Sequence, residues 1–287
     1  MLPLMEADNW PKGRRGISLP FTDECAVLTK ESRTQKELVR LAMEEGQRRG
    51  WKYLELRGGS DFLPEARPSL SFYGHDLELE GGEEQLFKRL DSPVQRAVRK
   101  ATKAGVSVEA ANDLEAMRTF FHLHGKTRRK HGAPPQGFGF FENIHRHVLS
   151  KDHGFVMIAR LFGKPVAGAI YFHFGRKAIY KFGASDDRFQ EVRGNNLVMW
   201  EAIRRLAAHG FASLNLGRTS LANEGLRRFK LSWGTTESRI DYYKYDFKRG
   251  SFAGDRDRAT GWQTRIFQLL PNSVFRWVGA LLYPRLA

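Results

Sequence analysis

At 287 residues the chain is long enough for one large or two small domains with a proper core. Its 41% hydrophobic and 28% charged residues are ordinary for a soluble globular protein, and a single cysteine, Cys25, excludes an internal disulfide and a cysteine-based zinc site. The net charge of +15 favours polyanions as partners, and no run of about 18 apolar residues is present to cross a membrane.

The basicity is uneven. Residues 1–81 hold 12 Lys/Arg against 14 Asp/Glu, and residues 82–287 hold 35 against 18. The second part of the chain is therefore the part expected to meet tRNA, a phosphorylated cofactor or substrate, or an anionic leaflet. Met1 to Asp8 has neither the basic lead nor the apolar core of a signal peptide. The lone cysteine fits a reducing compartment, so a cytoplasmic protein is expected.

Pro3, Pro11 and Pro20 punctuate residues 1–20, which read as poorly structured. Ala26 to Thr29 reads as one short strand. Ser32 or Thr34 is positioned to cap a helix that runs to Arg49, with Leu38, Leu41 and Ala42 on its apolar face. Gly50 ends it, and Trp51 to Leu56 alternates as a strand. Leu70 to Leu79 is another alternating strand. The front reads as an incomplete half-domain, with Gly81-Gly82 as the boundary.

From there to Ala104 the pattern is helical, with Pro93 in a first turn after an Asp91 or Ser92 cap. Leu90, Val94, Ala97, Val98 and Ala101 form its apolar stripe, and Arg96, Arg99, Lys100 and Lys103 form a basic one. Val106 to Glu109 reads as a strand. Asp113 caps the next helix, which ends at Lys126-Thr-Arg-Arg-Lys-His131. After a Gly/Pro loop and a short helix to Leu149, Phe155–Phe162 and Val166–Phe174 form an antiparallel meander, closed by a third strand at Ala178–Ala184.

That third strand opens a βαβ unit. A polar loop, Ser185 to Arg193, leads to Gly194-Asn195-Asn196 and a helix whose stripe is Val198, Met199, Ala202, Ile203 and Leu206. Gly210 ends the helix, and Ala212 to Gly217 is the following parallel strand. Ligands of such units sit beyond the strands' carboxyl ends, near the helix N-terminus. Those ends carry Arg188, Arg193, Gly194, Asn195, Asn196 and Arg218. A helical turn from Glu224 to Leu231 holds Phe229 and Lys230, before Trp233-Gly234 and an alternating strand from Arg239 to Phe247. Lys230 beside the sheet edge is placed to stabilise a developing oxyanion, though by pattern alone it reads equally as a surface lysine. The tail, Trp262 to Tyr283, carries two apolar pieces around Pro271. They read either as a helix docked on the protein or as an interfacial helix on an anionic membrane.

Several familiar chemistries are missing. The sequence contains no G-x-S-x-G elbow, P-loop or H-E-x-x-H, and its nine histidines are scattered, so a metal centre is not expected. Cys25 sits in the acidic front, far in sequence from the βαβ unit, with no mark of a nucleophile.

The order of these elements resembles the GNAT acyltransferase fold. Residues from about 86 to 247 are similar to the second GNAT-like domain of the FemAB/FemX family. The similarity is carried by Gln95 to Gly105, Thr127 to Gly132, Pro165 to Gly168, Tyr180 to Ala184, Asn196 to Trp200, Leu216 to Arg218 and Phe229 to Gly234. Ile17 to Phe21 looks like the late part of a first GNAT-like domain, which then lacks its opening elements. The resemblance implies an α+β fold, with a GNAT-like mixed sheet, helices on both faces, and a tandem arrangement whose first copy is incomplete. The expected divisions are 1–81, 82–250 and a helical tail at 251–287.

The resemblance also implies acyl or aminoacyl transfer to an amine on a peptidoglycan or exopolysaccharide precursor. It puts Phe229 and Lys230 at the reacting centre and Arg128 and Arg129 on phosphates of the precursor, with Tyr180 and Trp233 in the matching segments. The donor is then aminoacyl-tRNA or acyl-CoA, with no tightly bound cofactor. Gln190 to Asn195 departs from the Q/R-x-x-G-x-G/A pyrophosphate loop: its glycine comes one place late and has no successor. The rivals are an acyl-CoA-dependent N-acyltransferase and a non-catalytic binding module. A homodimer and peripheral membrane association at the inner face are the remaining expected partners.

Overall fold

The structure is a computed structural model, and it describes residues 1–9, 13–29, 31–59, 63–254 and 279. The expected tail helices therefore lie outside the described residues. In chain order the elements are β1 (Met5–Asn9), β2 (Gly13–Ile17), α1 (Ser32–Arg49), β3 (Tyr53–Gly59), β4 (Leu70–Glu78), α2 (Gly82–Arg89), α3 (Ser92–Lys103), β5 (Ser107–Ala111), α4 (Leu114–Lys130), α5 (Phe138–His147), β6 (Gly154–Leu161), β7 (Lys164–Phe174), β8 (Lys177–Ser185), α6 (Gly194–Ala208), β9 (Ser213–Asn215), β10 (Thr219–Ser220), α7 (Glu224–Leu231), β11 (Thr236–Asp246) and β12 (Ser251–Phe252).

These strands form one mixed sheet in the order β1-β2-β3-β11-β4-β9-β8-β7-β6-β5, with β10 on β4 and β12 on β11. The meander β6-β7-β8 is antiparallel, and β8 meets β9 in parallel, Ala178 opposite Leu214, as the βαβ reading requires. Of the front strands, β1, β2 and β3 pair in series, but β4 joins them only through a strand from the other end of the chain. Both β3 and β4 pair antiparallel with β11, which comes from the far end of the chain.

Side-chain alternation assigns the two faces. Tyr73, His75 and Leu77 of β4 point with Tyr243 of β11 toward the face that carries α1, α2, α3, α6 and α7. The main core lies there, where Val94, Val98 and Ala101 of α3 meet Val198, Ala202 and Ile203 of α6. On the opposite face α4 and α5 cover β6 to β8 through Met117, Phe120, Phe141 and Ile144. Burying this much apolar area at about 25 cal/mol per Å² is the main stabilising term. The basic stripe of α3 stays in solvent, with Lys100 near Glu191 at 3.6 Å and the Arg99 guanidinium 5.2 Å from the Phe87 ring centroid.

Several local expectations change. Strands β1 and β2 pair antiparallel where little structure was expected: Arg14 of β2 meets Asp8 of β1, and the Trp51 indole donates to Glu6 at 2.6 Å. Ala26 to Thr29 is not a strand: the Leu28 N–H donates to the Met1 carbonyl at 2.8 Å, and Met1 itself lies outside the sheet. The cap of α1 is Glu31, toward whose carboxylate Thr34 donates at 3.1 Å, so Thr34 lies inside the helix. Asp113 caps α4 by accepting from Ala116 N at 2.8 Å, and Pro93 sits in the first turn of α3.

Candidate active site

Strands β8 and β9 stay paired for only three residues. After Ile179 pairs with Asn215, β9 ends, while β8 runs on for six residues to Ser185, roughly 20 Å at about 3.3 Å per residue. The sheet opens there into a V. A β-bulge marks the opening: Tyr171 pairs with Tyr180 and Ile170 with Phe182, leaving Lys181 between them without a cross-strand partner. A bulge re-aims the side chain it carries. Here the Lys181 amine donates to the Phe21 carbonyl, which brings the front of the chain into the V.

That front segment is sharply turned. Leu19 and Phe21 both have positive φ, 34° and 66°, a conformation that costs non-glycine residues energy. The Thr22 hydroxyl, donating to Leu19 O at 2.7 Å, holds the turn closed. Asp23 follows. Tyr242 donates its hydroxyl to the Asp23 carbonyl at 2.6 Å, and the Asp23 carboxylate accepts from the backbone N–H of Arg218 at 3.3 Å and lies 3.6 Å from its Nε. The Arg218 guanidinium stacks over Phe72 and Tyr242, 4.2 and 5.1 Å from their ring centroids.

Lys230 approaches the same connection from the other face. Asn223 caps α7 by accepting from Leu226 N at 3.1 Å, and the helix buries its Lys230 side chain. The ammonium donates to Gly217 O at 2.8 Å and Arg218 O at 2.9 Å. Gly217 lies at φ +73°, and a Cβ there would stand 2.8 Å from Asp23 Oδ2, so this turn demands glycine. Burial lowers the Lys230 pKa to about 8, against an opposing pull from Asp23. An ammonium has three N–H donors. With two held by carbonyls, the third is available to an incoming oxyanion. Beneath lies His75, fully buried and lowered to about 4 by desolvation first and by Lys230 second, so it is neutral at pH 7.

The structure thus joins Lys230 and Arg218 with Asp23, Arg57 and Lys181, none of which the sequence pattern singled out. Phe229 is 43% exposed, with its ring centroid 6.3 Å from that of the fully buried Trp233. Trp233 is a core residue of this corner. Tyr180 faces the α6 side, edge-on to Tyr171 at 5.5 Å, with its hydroxyl over Gly183. Burial pushes its pKa to about 12.

The remaining candidates gather on the other arm of the V, around the end of β8. Asp186 receives Lys126 at 2.7 Å and both the Nε and Nη2 of Arg188, at 3.0 and 2.7 Å, and these bonds hold its carboxyl well below the usual range. The Arg188 fork therefore faces a protein carboxylate. Thr127 exchanges hydrogen bonds with Ser185, fastening α4 to β8. Arg128 donates to Ala133 O at 3.1 Å and Pro134 O at 3.2 Å, bracing the loop before α5, and Arg129 is half-buried beside it. Arg193, at φ 58°, is the N-cap of α6, and Gly194 follows it buried against Val166 and Ala167. Asn195 is exposed and Asn196 half-buried in the first turn.

Two hollows flank the Phe21–Asp23 ridge. One, of about 460 Å³, is mainly apolar, lined by Phe21, Phe140, Ile144, Phe182 and Ile240 with Lys181 and Asp23 at its margin. The other, of about 210 Å³, is polar, shares Asp23 with the first and is also lined by Arg218. Cys25 is buried with its pKa raised by desolvation, which leaves an unreactive thiol. Among the described residues no cluster of three His, Cys, Asp or Glu could hold a metal, and no helix is long and apolar enough to cross a membrane.

A V between a third meander strand and the next parallel strand, with a helix N-terminus on one arm, is the plan of a GNAT acyltransferase. Residues 89–245 match the acetyltransferase (GNAT) domain family, and the chain belongs to it. Of the solved structures, FemX superimposes with a TM-score of 0.67 at 15% identity, over 83% of each chain. The C-terminal domain of a putative lysylphosphatidylglycerol synthetase from Agrobacterium fabrum gives 0.59 at 14% identity, over 83% of this chain and 79% of that one. L-PGS from Bacillus licheniformis gives 0.59 at 11% identity, over 99% of this chain and 85% of that one. At such identities the likeness is one of fold. A search of curated proteins finds no match. The protein is an acyltransferase of the GNAT fold, with the mixed sheet and two-faced helices expected from its sequence.

Proposed function

We propose that the protein transfers an acyl or aminoacyl group from an activated ester or thioester to an amine on a cell-envelope precursor. The observation that carries this reading is the Lys230 ammonium, buried and held by the Gly217 and Arg218 carbonyls, with one N–H to spare. The acceptor amine, in its neutral form, attacks the donor carbonyl. Electrons move onto the carbonyl oxygen, which Lys230 stabilises, and collapse expels the tRNA ribose oxygen or the thiol as leaving group. The surplus proton of the new ammonium passes to that leaving group. No covalent enzyme intermediate is required, and the chain contributes positioning and charge. Asp23 fixes the Gly217–Arg218 connection from the opposite face and so fixes the acceptors that aim Lys230. The apolar hollow beside Lys181 accommodates the non-polar part of donor or acceptor.

The exposed stripe Arg96, Arg99, Lys100 and Lys103 supports aminoacyl-tRNA as donor. The second reading is acyl-CoA, supported by Arg193 and Gly194 at the α6 N-terminus, where backbone N–H groups suit a pyrophosphate. Both candidate donors are cytoplasmic molecules, which supports a cytoplasmic location. The test is to incubate the full chain with aminoacyl-tRNA or acyl-CoA and with amine-bearing peptidoglycan or exopolysaccharide precursors. The expected result is a mass gain of one acyl group on the acceptor with one donor. No gain with any pair counts against transfer and favours a binding module.

A further inference from the structure

The polar hollow has an unusual residue at its buried end. Gly16 of β2 turns toward Trp51 and the α1 face, so Arg15 leaves the sheet on the opposite face, beside Ile17, Tyr53, Glu55 and Arg57. Arg15 is fully buried. Its Nη1 donates to Asn9 Oδ1 at 3.0 Å and Gly13 O at 3.1 Å. Its Nε and Nη2 are buried and meet no acceptor.

Among the described residues, each carboxylate of the hollow already has a cation. Glu55 is taken by Arg57 at 2.8 Å and Asp23 by Arg218 at 3.6 Å. A buried charge without a counter-charge is strongly destabilising, and buried guanidinium groups are ordinarily hydrogen-bonded. The hollow above Arg15 brings together three guanidiniums, those of Arg15, Arg57 and Arg218, around about 210 Å³. Its two carboxylates are turned to partners of their own. A planar guanidinium with two spare N–H groups on adjacent nitrogens matches two oxygens of a carboxylate or phosphate.

We propose that this hollow binds a compact oxyanion, phosphate or carboxylate, with Arg15 as its buried anchor and Arg57 and Arg218 beside it. Arg218 also carries a carbonyl that receives Lys230, so an anion here lies next to the reacting centre. The anion is then a group of the acceptor, set close to the amine to be acylated. Only this last assignment rests on the transfer reading above. The binding of an oxyanion does not.

The test uses the full chain and two probes, inorganic phosphate and acetate, against chloride at equal ionic strength. Calorimetry and thermal melting are expected to show saturable binding of at least one probe. Tighter phosphate binding identifies a phosphorylated acceptor, and tighter acetate binding a carboxylate one. Arg15→Met and Arg57→Gln each weaken binding by at least about tenfold, as loss of one member of a buried charge pair does. Arg15→Lys keeps the charge but loses the fork and recovers only part of the affinity. Should Arg15→Met fail to fold, the Nε resonance of Arg15 in the native chain decides the matter: it moves on titration with the bound probe. Lys230→Ala binds the probe as the native chain does. If that variant also transfers normally, the transfer reading falls while the anion site stands. Absence of saturable binding by either probe, an Nε resonance that does not move, or native affinity in Arg15→Met overturns the site.

Discussion

Asp23 and Arg218 are 195 residues apart in sequence, and the Asp23 carboxylate accepts the Arg218 backbone N–H while its other oxygen lies 3.6 Å from the guanidinium. A residue of the front segment thereby fixes the connection whose carbonyls hold Lys230. Asp23→Ala is predicted to lower kcat by about tenfold with little change in melting temperature, because the pair is partly exposed and contributes little to stability. Asp23→Asn keeps a hydrogen-bond acceptor and is predicted to recover part of the rate. Steady-state kinetics of the two variants check this; equal rates in native chain and Asp23→Ala would remove Asp23 from the site.

The front segment cannot complete its own sheet. Strands β3 and β4 both take β11 as partner, and the buried Leu54 and Leu56 pack with Tyr243 of that strand. A fragment of residues 1–81 is predicted to lack a cooperative melt by circular dichroism. A sharp transition in the isolated fragment would show that β11 is dispensable to it.

Two buried neutral histidines give the fold an acid limit. Desolvation lowers His75 and His124 to about 4 each, and His124 keeps one hydrogen bond, to Gln136 at 2.9 Å. Between the ordinary histidine pKa of about 6.5 and about 4 the unfolded chain binds protons that the folded chain does not, so stability falls as pH drops through that window. Each site contributes on the order of 3 kcal/mol, from about 2.5 pKa units at 1.36 kcal/mol per unit. Urea melts at pH 7 and 4.5 are predicted to differ by a few kcal/mol, and by less in His124→Phe.

Lys230 gives a stability limit of similar origin. Its folded pKa of about 8 lies below the ordinary lysine value of 10.5, so from pH 8 to 10.5 the unfolded chain holds the extra proton. The native chain is predicted to gain stability relative to Lys230→Met as pH rises through that window. A pH-independent difference would mean that the ammonium is not desolvated.

The helices and the meander were legible because their periodicities are strong and their ends carry Asp113, Pro93, Gly210 and Gly132. The parallel meeting of β8 and β9 and the candidacy of Lys230 and Arg218 were legible too, from segment order and from the resemblance. The pairing of β1 with β2 was not. Pro11, Gly13 and Gly16 in the sequence hide it, and its partner contacts, Glu6 to Trp51 and β2 to β3, come from outside the segment. Asp23 and Lys181 were equally hidden: one depends on a positive-φ turn at Leu19 and Phe21, the other on a bulge, and neither has a periodic signature. Arg188 looked like an anion receptor in sequence because its carboxylate partner, Asp186, is only two residues away and reads as part of a polar loop.

The donor is distinguishable by salt. With Arg96, Arg99, Lys100 and Lys103 exposed along α3, charged tRNA is predicted to bind with a log–log salt slope of at least about 3 in magnitude, since each phosphate contact adds roughly 0.7 to 0.9. Charge reversal at Arg99 and Lys103 is predicted to flatten that slope. Salt-insensitive binding of acyl-CoA with no tRNA binding would assign the donor to the α6 N-terminus instead.

Transfer rate in Lys230→Ala, measured alongside acceptor affinity in the same preparation, is the decisive comparison. Loss of an oxyanion donor costs about a hundredfold or more in kcat, while an ammonium already bound to Gly217 and Arg218 adds little to ground-state binding. The predicted result is a loss of at least about a hundredfold in kcat, acceptor Kd within about twofold of native, and an unchanged circular dichroism spectrum. Transfer by a folded Lys230→Ala at the native rate would contradict the assignment of the reacting centre to Lys230.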